Sequence, residues 1–249
     1  MLRHLGAKRT YRHNVQLASL LGVTAGFVNS AGFLGFATLT TNVTGHAALF
    51  AERIAFSDWG DARVVALWML LFLAGAFLSS LLVSRIGRNR QYSYVIPLIL
   101  EISILIFVAL EGYRYDQTQS SKELFAGSLL FAMGLQNALV SLISGSVVRT
   151  THLTGTFTDL GIELAHLFDP HHKDKKTLHS RINLRSAIIV FFMGGALAGA
   201  WLFRVLRFHA FFFPVAFLIF ALLYDILRIK AKRYYRKLSI LISHIDAGH

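Results

Sequence analysis

A carboxylate in the middle of an apolar run is the first feature of this sequence that demands a chemical account. Glu101 lies seven residues after Tyr94 and nine before Leu110, in a stretch with no other charged side chain. An ionisable group inside a membrane costs several kcal/mol unless it is paired, hydrated or protonated, which makes it a functional candidate. Its plainer use is a protonated carboxyl hydrogen-bonded to a neighbouring helix, because burial favours the neutral form. Pro97, four residues earlier, predicts a kink in the same run. Three amides sit mid-way along two other apolar runs: Asn29 (beside Ser30), and Gln136 with Asn137. They cannot titrate, but they bind carboxylates, hydroxyls or ions, and they also bond helix to helix.

Two polar breaks repeat each other. Thr40-Thr41-Asn42-Val43-Thr44-Gly45-His46 matches Thr150-Thr151-His152-Leu153-Thr154-Gly155-Thr156 at an offset of 110. Upstream, Gly26-Phe27-Val28-Asn29 lies opposite Gly134-Leu135-Gln136-Asn137 at an offset of 108. In Thr-x-x-Thr-Gly a hydroxyl can cap free N–H groups and glycine permits the angles of a break, so each motif predicts a helix start. A helix N-terminus carries partial positive charge that favours an anion or a carbonyl oxygen. Thr44, Gly45, Thr154 and Gly155 are therefore either substrate-orienting positions or simple caps at the membrane surface. His46 is a candidate pH-sensitive group. Asp159 and Glu163 share one helical face, and an acid as early in a helix as Asp159 also complements its dipole. His171, His172 and His179 lie in a lysine-rich stretch without ligand spacing, so no metal is expected. No cofactor is expected either. Cysteine is absent, which removes disulfides and thiolate chemistry.

These residues need apolar elements to carry them. Of 249 residues 55% are hydrophobic and 15% charged, with mean hydropathy +0.54. A soluble domain carries about 25% charged residues. Helices of roughly 20 apolar residues cross a bilayer with their backbone satisfied internally. Six segments meet that length: Val15–Leu39, Val64–Val83, Tyr94–Leu110, Leu124–Val148, Ser186–Phe203 and Phe208–Tyr224. Thr38–Phe56 and Thr150–Phe168 are polar at their starts and read as short helices at or partly within the membrane. The fold expected is an all-α polytopic membrane protein forming one domain. Its six spans make two three-helix repeats, about 15–110 and 124–228, each with a broken or short extra helix after its first span. Three spans per repeat force the halves into opposite orientations, the architecture of many secondary transporters. Gly75, Gly194, Gly195 and Gly199 form small-residue faces suited either to packing one half on the other or to a homo-oligomer.

The 25 Lys and Arg against 13 Asp and Glu give a net charge of +12. In a soluble protein that balance would suggest nucleic acid, but here position decides. With six spans, nineteen of the 25 basic residues fall on one side, so both termini are expected in the cytoplasm. The basic segment 229–249 reads as a cytoplasmic tail attracted to anionic lipid headgroups, which accounts for the charge without nucleic acid.

The motifs Gly26-Phe27-Val28-Asn29-Ser30-Ala31-Gly32-Phe33-Leu34, Asn42–His46, Gly134–Ala138 and Val148–Thr156 resemble the YoaK-like bacterial membrane proteins. The similarity covers roughly residues 15 to 228. It implies a six-span protein of the bacterial inner membrane and, that family having no established activity, implies no mechanism. The family usually has Asp where Asn29 stands and Asn where His46 stands, so no proton or cation role carries over to position 29.

Two functions fit. The first is a transporter of an unidentified small molecule or ion, with a midplane site lined by Asn29, Glu101, Gln136 and Asn137. The Thr-Gly helix starts, with His46 and Asp159, would orient the cargo. The second is a non-transporting membrane scaffold or sensor. No Ser/His/Asp constellation can be traced, so no enzymatic activity is expected.

Overall fold

The computed structural model describes residues 10–87, 93–169 and 174–227, and they are helical almost throughout. In chain order the helices are α1 (Tyr11–Phe36), α2 (Val43–Ala55), α3 (Trp59–Ile86), α4 (Val95–Glu111), α5 (Gln119–Ser144), α6 (Leu153–Leu167) and α7 (Lys175–Leu206). A last helix, α8, occupies 212–227. Five stretches are long and apolar enough to cross a membrane: Tyr11–Phe36, Trp59–Ile86, Val95–Arg114, Gln119–Ser144 and Lys175–Leu227.

The fifth stretch has 53 residues, about 80 Å if straight, and it does not run straight. Arg207 takes φ 51, and a tight turn covers Arg207–Phe211. Phe27 of α1 lies against Gly199 and also stacks on Phe213 at 5.6 Å. A straight helix would separate those two residues by about 21 Å. The stretch therefore folds back on itself at Arg207.

Glycine sets the main contacts. α1 lies along α7, and α3 along α5, as the two most extensive helix pairings. A Cβ on Gly26 would fall onto the Phe192 carbonyl, and one on Gly195 onto the Val23 carbonyl. In the other pair, Gly134 meets the Phe72 carbonyl and Gly75 the Phe131 carbonyl. Backbones in direct contact leave no room for any larger residue, the geometry of small-residue helix packing in membranes. Residue numbers rise together along both pairs (Gly22 beside Ile188, Phe27 beside Gly199), so each pair is parallel. Of the small-residue faces expected from sequence, Gly75, Gly195 and Gly199 pack within the chain. Gly194 meets nothing within 4 Å.

The two crossings correspond position by position. Gly26 and Gly134 are 108 apart, as are Val23 and Phe131, while Gly75 and Gly195, like Phe72 and Phe192, are 120 apart. The helix ends agree too: α1 stops at Ala37 (φ 52), and α5 at Gly145 (φ 65), again 108 positions on. Glycine takes that left-handed conformation without strain, whereas alanine does not.

α2 and α6, with 13 and 15 residues, span only about 20 and 22 Å, short of the roughly 30 Å core. Both are re-entrant with respect to the bundle, in that the chain turns back along the preceding helix before each begins. After α1 the chain runs back beside it, with Thr40 against Gly32 and Thr41 bonded to Asn29. α2 then climbs to meet the start of α3, held by Arg53 against Asp58 and Asp61. α6 does the same from the opposite end: Thr150 returns to the level of Gln136, and Arg185 of α7 holds Asp159 and Glu163. We call the end where α1 and α2 finish distal, and the end where α5 and α6 finish proximal. A distal aromatic cluster stacks Phe36 on Phe125 and on Phe208 and sets Tyr115 edge-on to Phe36, closing that end of the bundle.

Pro97 is the third residue of α4, where the backbone N–H has no intrahelical partner in any case. The kink expected from sequence therefore has no cause, and the helix simply begins there. The expected tail, 229–249, lies outside the described residues, as do His171 and His172.

Gly75→Ala and Gly134→Ala each drive a methyl group into a carbonyl. Each is expected to lower the apparent Tm of the purified protein through overpacking of about 1–3 kcal/mol. Gly194→Ala is expected to leave it unchanged. Ala37→Gly is expected to raise it by relieving roughly 1 kcal/mol of backbone strain. Thermal unfolding in detergent measures all four.

Candidate functional site

Each re-entrant segment is fixed by one amide from the helix it turns back along. The Asn29 carboxamide oxygen accepts from the Thr41 N–H at 3.1 Å and from its hydroxyl at 3.0 Å. In the second half the task passes to the neighbouring position: Gln136 Nε2 donates to the Leu21 carbonyl at 2.8 Å and to Thr150 Oγ1 at 3.4 Å. Asn137 aligns with Asn29 by sequence, yet its buried Oδ1 has no partner among the described residues. Asn29 and Gln136 therefore close their own breaks.

The helix starts are capped differently from the sequence expectation. The cap of α2 is Asn42, whose side chain accepts from the Gly45 N–H at 2.9 Å. α6 starts from His152, whose ring lies over Gly155. In both, the side chain at the N-cap position covers the backbone three residues on, Asn42 with a capping hydrogen bond and His152 without one, and this is why the motif ends in glycine. Thr44 and Thr154 take no part in the caps, and their side chains are exposed on the first turns of α2 and α6. From 41 to 49 the order of exposed and buried residues repeats at 151 to 159.

His46 is the buried residue of α2. Its Nε2 lies 2.8 Å from the Leu39 carbonyl, and its ring is 5.6 Å from that of Trp68. That places His46 as a brace between the re-entrant loop and α3.

Glu101 is fully buried on α4, and neither carboxyl oxygen has a hydrogen-bond partner among the described residues. It shares the buried side of α4 with Pro97, Leu98, Ile102 and Leu105. The hydrogen bond to a neighbouring helix that would make it structural is not formed. Asp159 lies elsewhere, at the proximal end.

Two cavities occupy equivalent places at the two ends. The distal one, about 410 Å³, lies between α2, α3 and the start of α5; the proximal one, about 430 Å³, lies between α6 and α7. Their ion pairs are reversed in sign. Distally Arg53 on α2 faces Asp61 on α3 at 3.8 Å. At the matching proximal positions Glu163 stands on α6 and Arg181 on α7, with Arg185 reaching Asp159 at 3.0 Å and Glu163 at 3.9 Å. Burial pushes the Glu163 carboxyl above the usual carboxylate range, against the pull of Arg185 and Arg181. Sequence reasoning missed Trp68, Lys122 and Arg185, which read as ordinary span and loop residues until the fold brings them to these cavities.

Apolar side chains such as Leu70, Leu73 and Phe77 of α3 and Leu197, Trp201 and Val205 of α7 are exposed along the outside of the bundle. Apolar surface in such quantity belongs in lipid. The sequence model described as "Protein of unknown function (DUF1275)" matches residues 17–224. The chain belongs to that family. The match spans both glycine crossings and both re-entrant helices, and it agrees with the resemblance read from the motifs in assigning no activity. No curated protein and no solved structure matches the chain. This DUF1275 member is an integral membrane protein of unknown function.

Because the Glu163 carboxyl lies above its ordinary value, its protonated form is favoured on folding. Its contribution to stability is present in acid and is lost as pH rises through the folded-state value. Arg185→Gln removes the main opposing charge. That variant is expected to lose more stability near neutral pH than in mild acid, and Glu163→Gln added to it should remove the difference. Thermal melts at the two pH values test the sign.

Proposed function

We propose that this protein carries a small molecule or ion across the bacterial inner membrane by movement of two inverted halves. α1, α3, α4, α5, α7 and α8 are the six spans, with both termini cytoplasmic, the distal end outside and the proximal end inside. The observation that carries the reading is the pair of re-entrant helices entering from opposite ends and stopping at Asn29 and Gln136. Helices broken at depth supply polar ends without exposing backbone to lipid, and in inverted-repeat transporters they flank the substrate. The parallel packing of α1 with α7 and of α3 with α5 supports the same reading, since a two-fold axis in the membrane plane that relates α1 to α5 and α7 to α3 turns one parallel pair into the other.

Glu101 is the group through which such a carrier would be coupled to protons. A buried carboxyl without a partner has strong reason to recruit water or a cation when the halves part. Anionic headgroups would bind the basic inner loops and tail. Neither nucleic acid binding nor catalysis belongs to this reading.

A scaffold or sensor is the second reading. It is supported by Asn29 and Gln136 spending their hydrogen bonds on the protein's own backbone and hydroxyls.

The natural absence of cysteine permits direct tests. In intact cells Ser57→Cys is expected to react with a membrane-impermeant thiol reagent and Thr177→Cys to be protected; the reverse or equal labelling refutes the topology. In proteoliposomes screened for uptake of organic anions, cations and amino acids, Glu101→Gln is expected to abolish proton-driven uptake while folding normally. Uptake at the wild-type rate would remove Glu101 from the mechanism. Loss of folded yield, with no uptake by the parent protein, would favour the scaffold.

A further inference from the structure

The distal cavity presents hydrogen-bond donors in excess of acceptors. Trp68 forms part of its wall and is 3% exposed, and its indole N–H has no acceptor among the described residues. A buried donor left unmatched carries the full cost of its desolvation, and such exceptions in folded proteins call for a specific cause. Lys122 lies with its ammonium 5.3 Å from the centre of the Trp68 ring and makes no ion pair among the described residues. Arg53 is shared between Asp58 at 3.4 Å and Asp61 at 3.8 Å, so the carboxylate of this wall already has its cation. The Gln117 and Gln119 amides complete the polar side, and Leu49, Val64 and Val65 form an apolar floor. Volumes from about 300 Å³ upward, apolar walls and a few convergent polar groups are the features of small-molecule sites.

We propose that the distal cavity binds a small organic carboxylate, its anionic group held by Lys122 and the Trp68 indole N–H and its compact apolar body lying on Leu49, Val64 and Val65. A cation is disfavoured by Arg53 and Lys122 together. A bare inorganic anion would leave the apolar floor wet. The carboxylate satisfies both sides at once: it supplies the acceptor that the indole lacks and the counter-charge that Lys122 lacks. The His46 ring lies against Trp68 at 5.6 Å, tilted by 59°, so an occupied site bears directly on the brace between α2 and α3. The equivalent positions at the proximal end do not repeat the site, because Ile188 stands where Trp68 does and Glu163 where Arg53 does. Recognition is therefore confined to one face of the membrane. This binding site goes beyond the transport reading and stands or falls separately from it.

The test is calorimetric titration of the full chain in detergent with benzoate and with its neutral isostere benzamide. Benzoate is expected to bind and benzamide not. Lys122→Gln is expected to weaken benzoate about tenfold, the loss of one charge-assisted hydrogen bond, while Lys122→Arg keeps most of the affinity. Trp68→Phe, which preserves the ring and deletes the N–H, should weaken it severalfold with folding unchanged by size exclusion. No benzoate binding, equal binding of benzamide, unchanged affinity in Lys122→Gln, or equal competition by chloride would each overturn the proposal. Benzoate binding by the parent protein, with no uptake of any solute into liposomes, would leave this site standing and remove the carrier.

Discussion

Everything in this fold depends on two places where helix backbones touch. At Gly26 and Gly195, and again at Gly75 and Gly134, a carbonyl of one helix occupies the space a Cβ would need. In lipid there is no hydrophobic gain from hiding one apolar helix behind another, so close van der Waals approach must hold the helices together. Each crossing joins a first-half helix to a second-half helix. The halves are consequently interlocked, and neither could bury its own face alone. The re-entrant helices follow from the same constraint. With α1 held to α7 along its length, the chain after α1 can return only along another side of it, and there Asn29 is waiting.

That the breaks would fall after the first span of each half was legible in the sequence, because hydropathy stops and Thr-Gly begins at equivalent positions. What the side chains do there was not. Thr44 looked like the cap, but a cap side chain precedes the helix and accepts from the residue three on, so Asn42 holds that role. Gln136 and Asn137 are neighbours on a helix, about 100° apart, and pattern alone does not say which of them faces the break. The alignment of Asn29 with Asn137 pointed to the wrong one. The turn at Arg207 was legible as a gap between two apolar runs. The α7 helix begins at Lys175, eleven residues before the apolar run, since polar residues outside the bilayer continue a helix without any hydropathy signal.

The reversed charges at the two ends show how duplicated geometry can acquire two chemistries. In the distal pair each charge suits its helix. Arg53 lies in the last turn of α2, where partial negative charge accumulates, and Asp61 lies in the first turn of α3. Proximally Glu163 lies towards the C-terminal end of α6, against that helix's dipole, and Arg185 and Arg181 oppose the upward push that burial gives its carboxyl. The distal pair is internally settled and leaves Lys122 without a counter-charge. The proximal cluster is crowded with charge and spends its cations on its own acids.

Polar groups at the three levels of the bundle therefore differ in what they still lack. At the proximal end Glu163 keeps one buried oxygen unmatched, but its charge is balanced within the cluster. At the centre neither Glu101 carboxyl oxygen has a hydrogen-bond partner among the described residues. At the distal end the deficit is an acceptor, for the Trp68 indole and the Lys122 ammonium together. Unmatched buried groups are exceptions that call for a specific cause. For the distal wall the proposed cause is an acceptor from outside the chain. An anion entering distally would bring negative charge towards a bundle whose one central carboxyl is neutral only while it holds its proton. Anion occupancy and protonation of Glu101 should therefore favour each other, because each lowers the electrostatic cost of the other state.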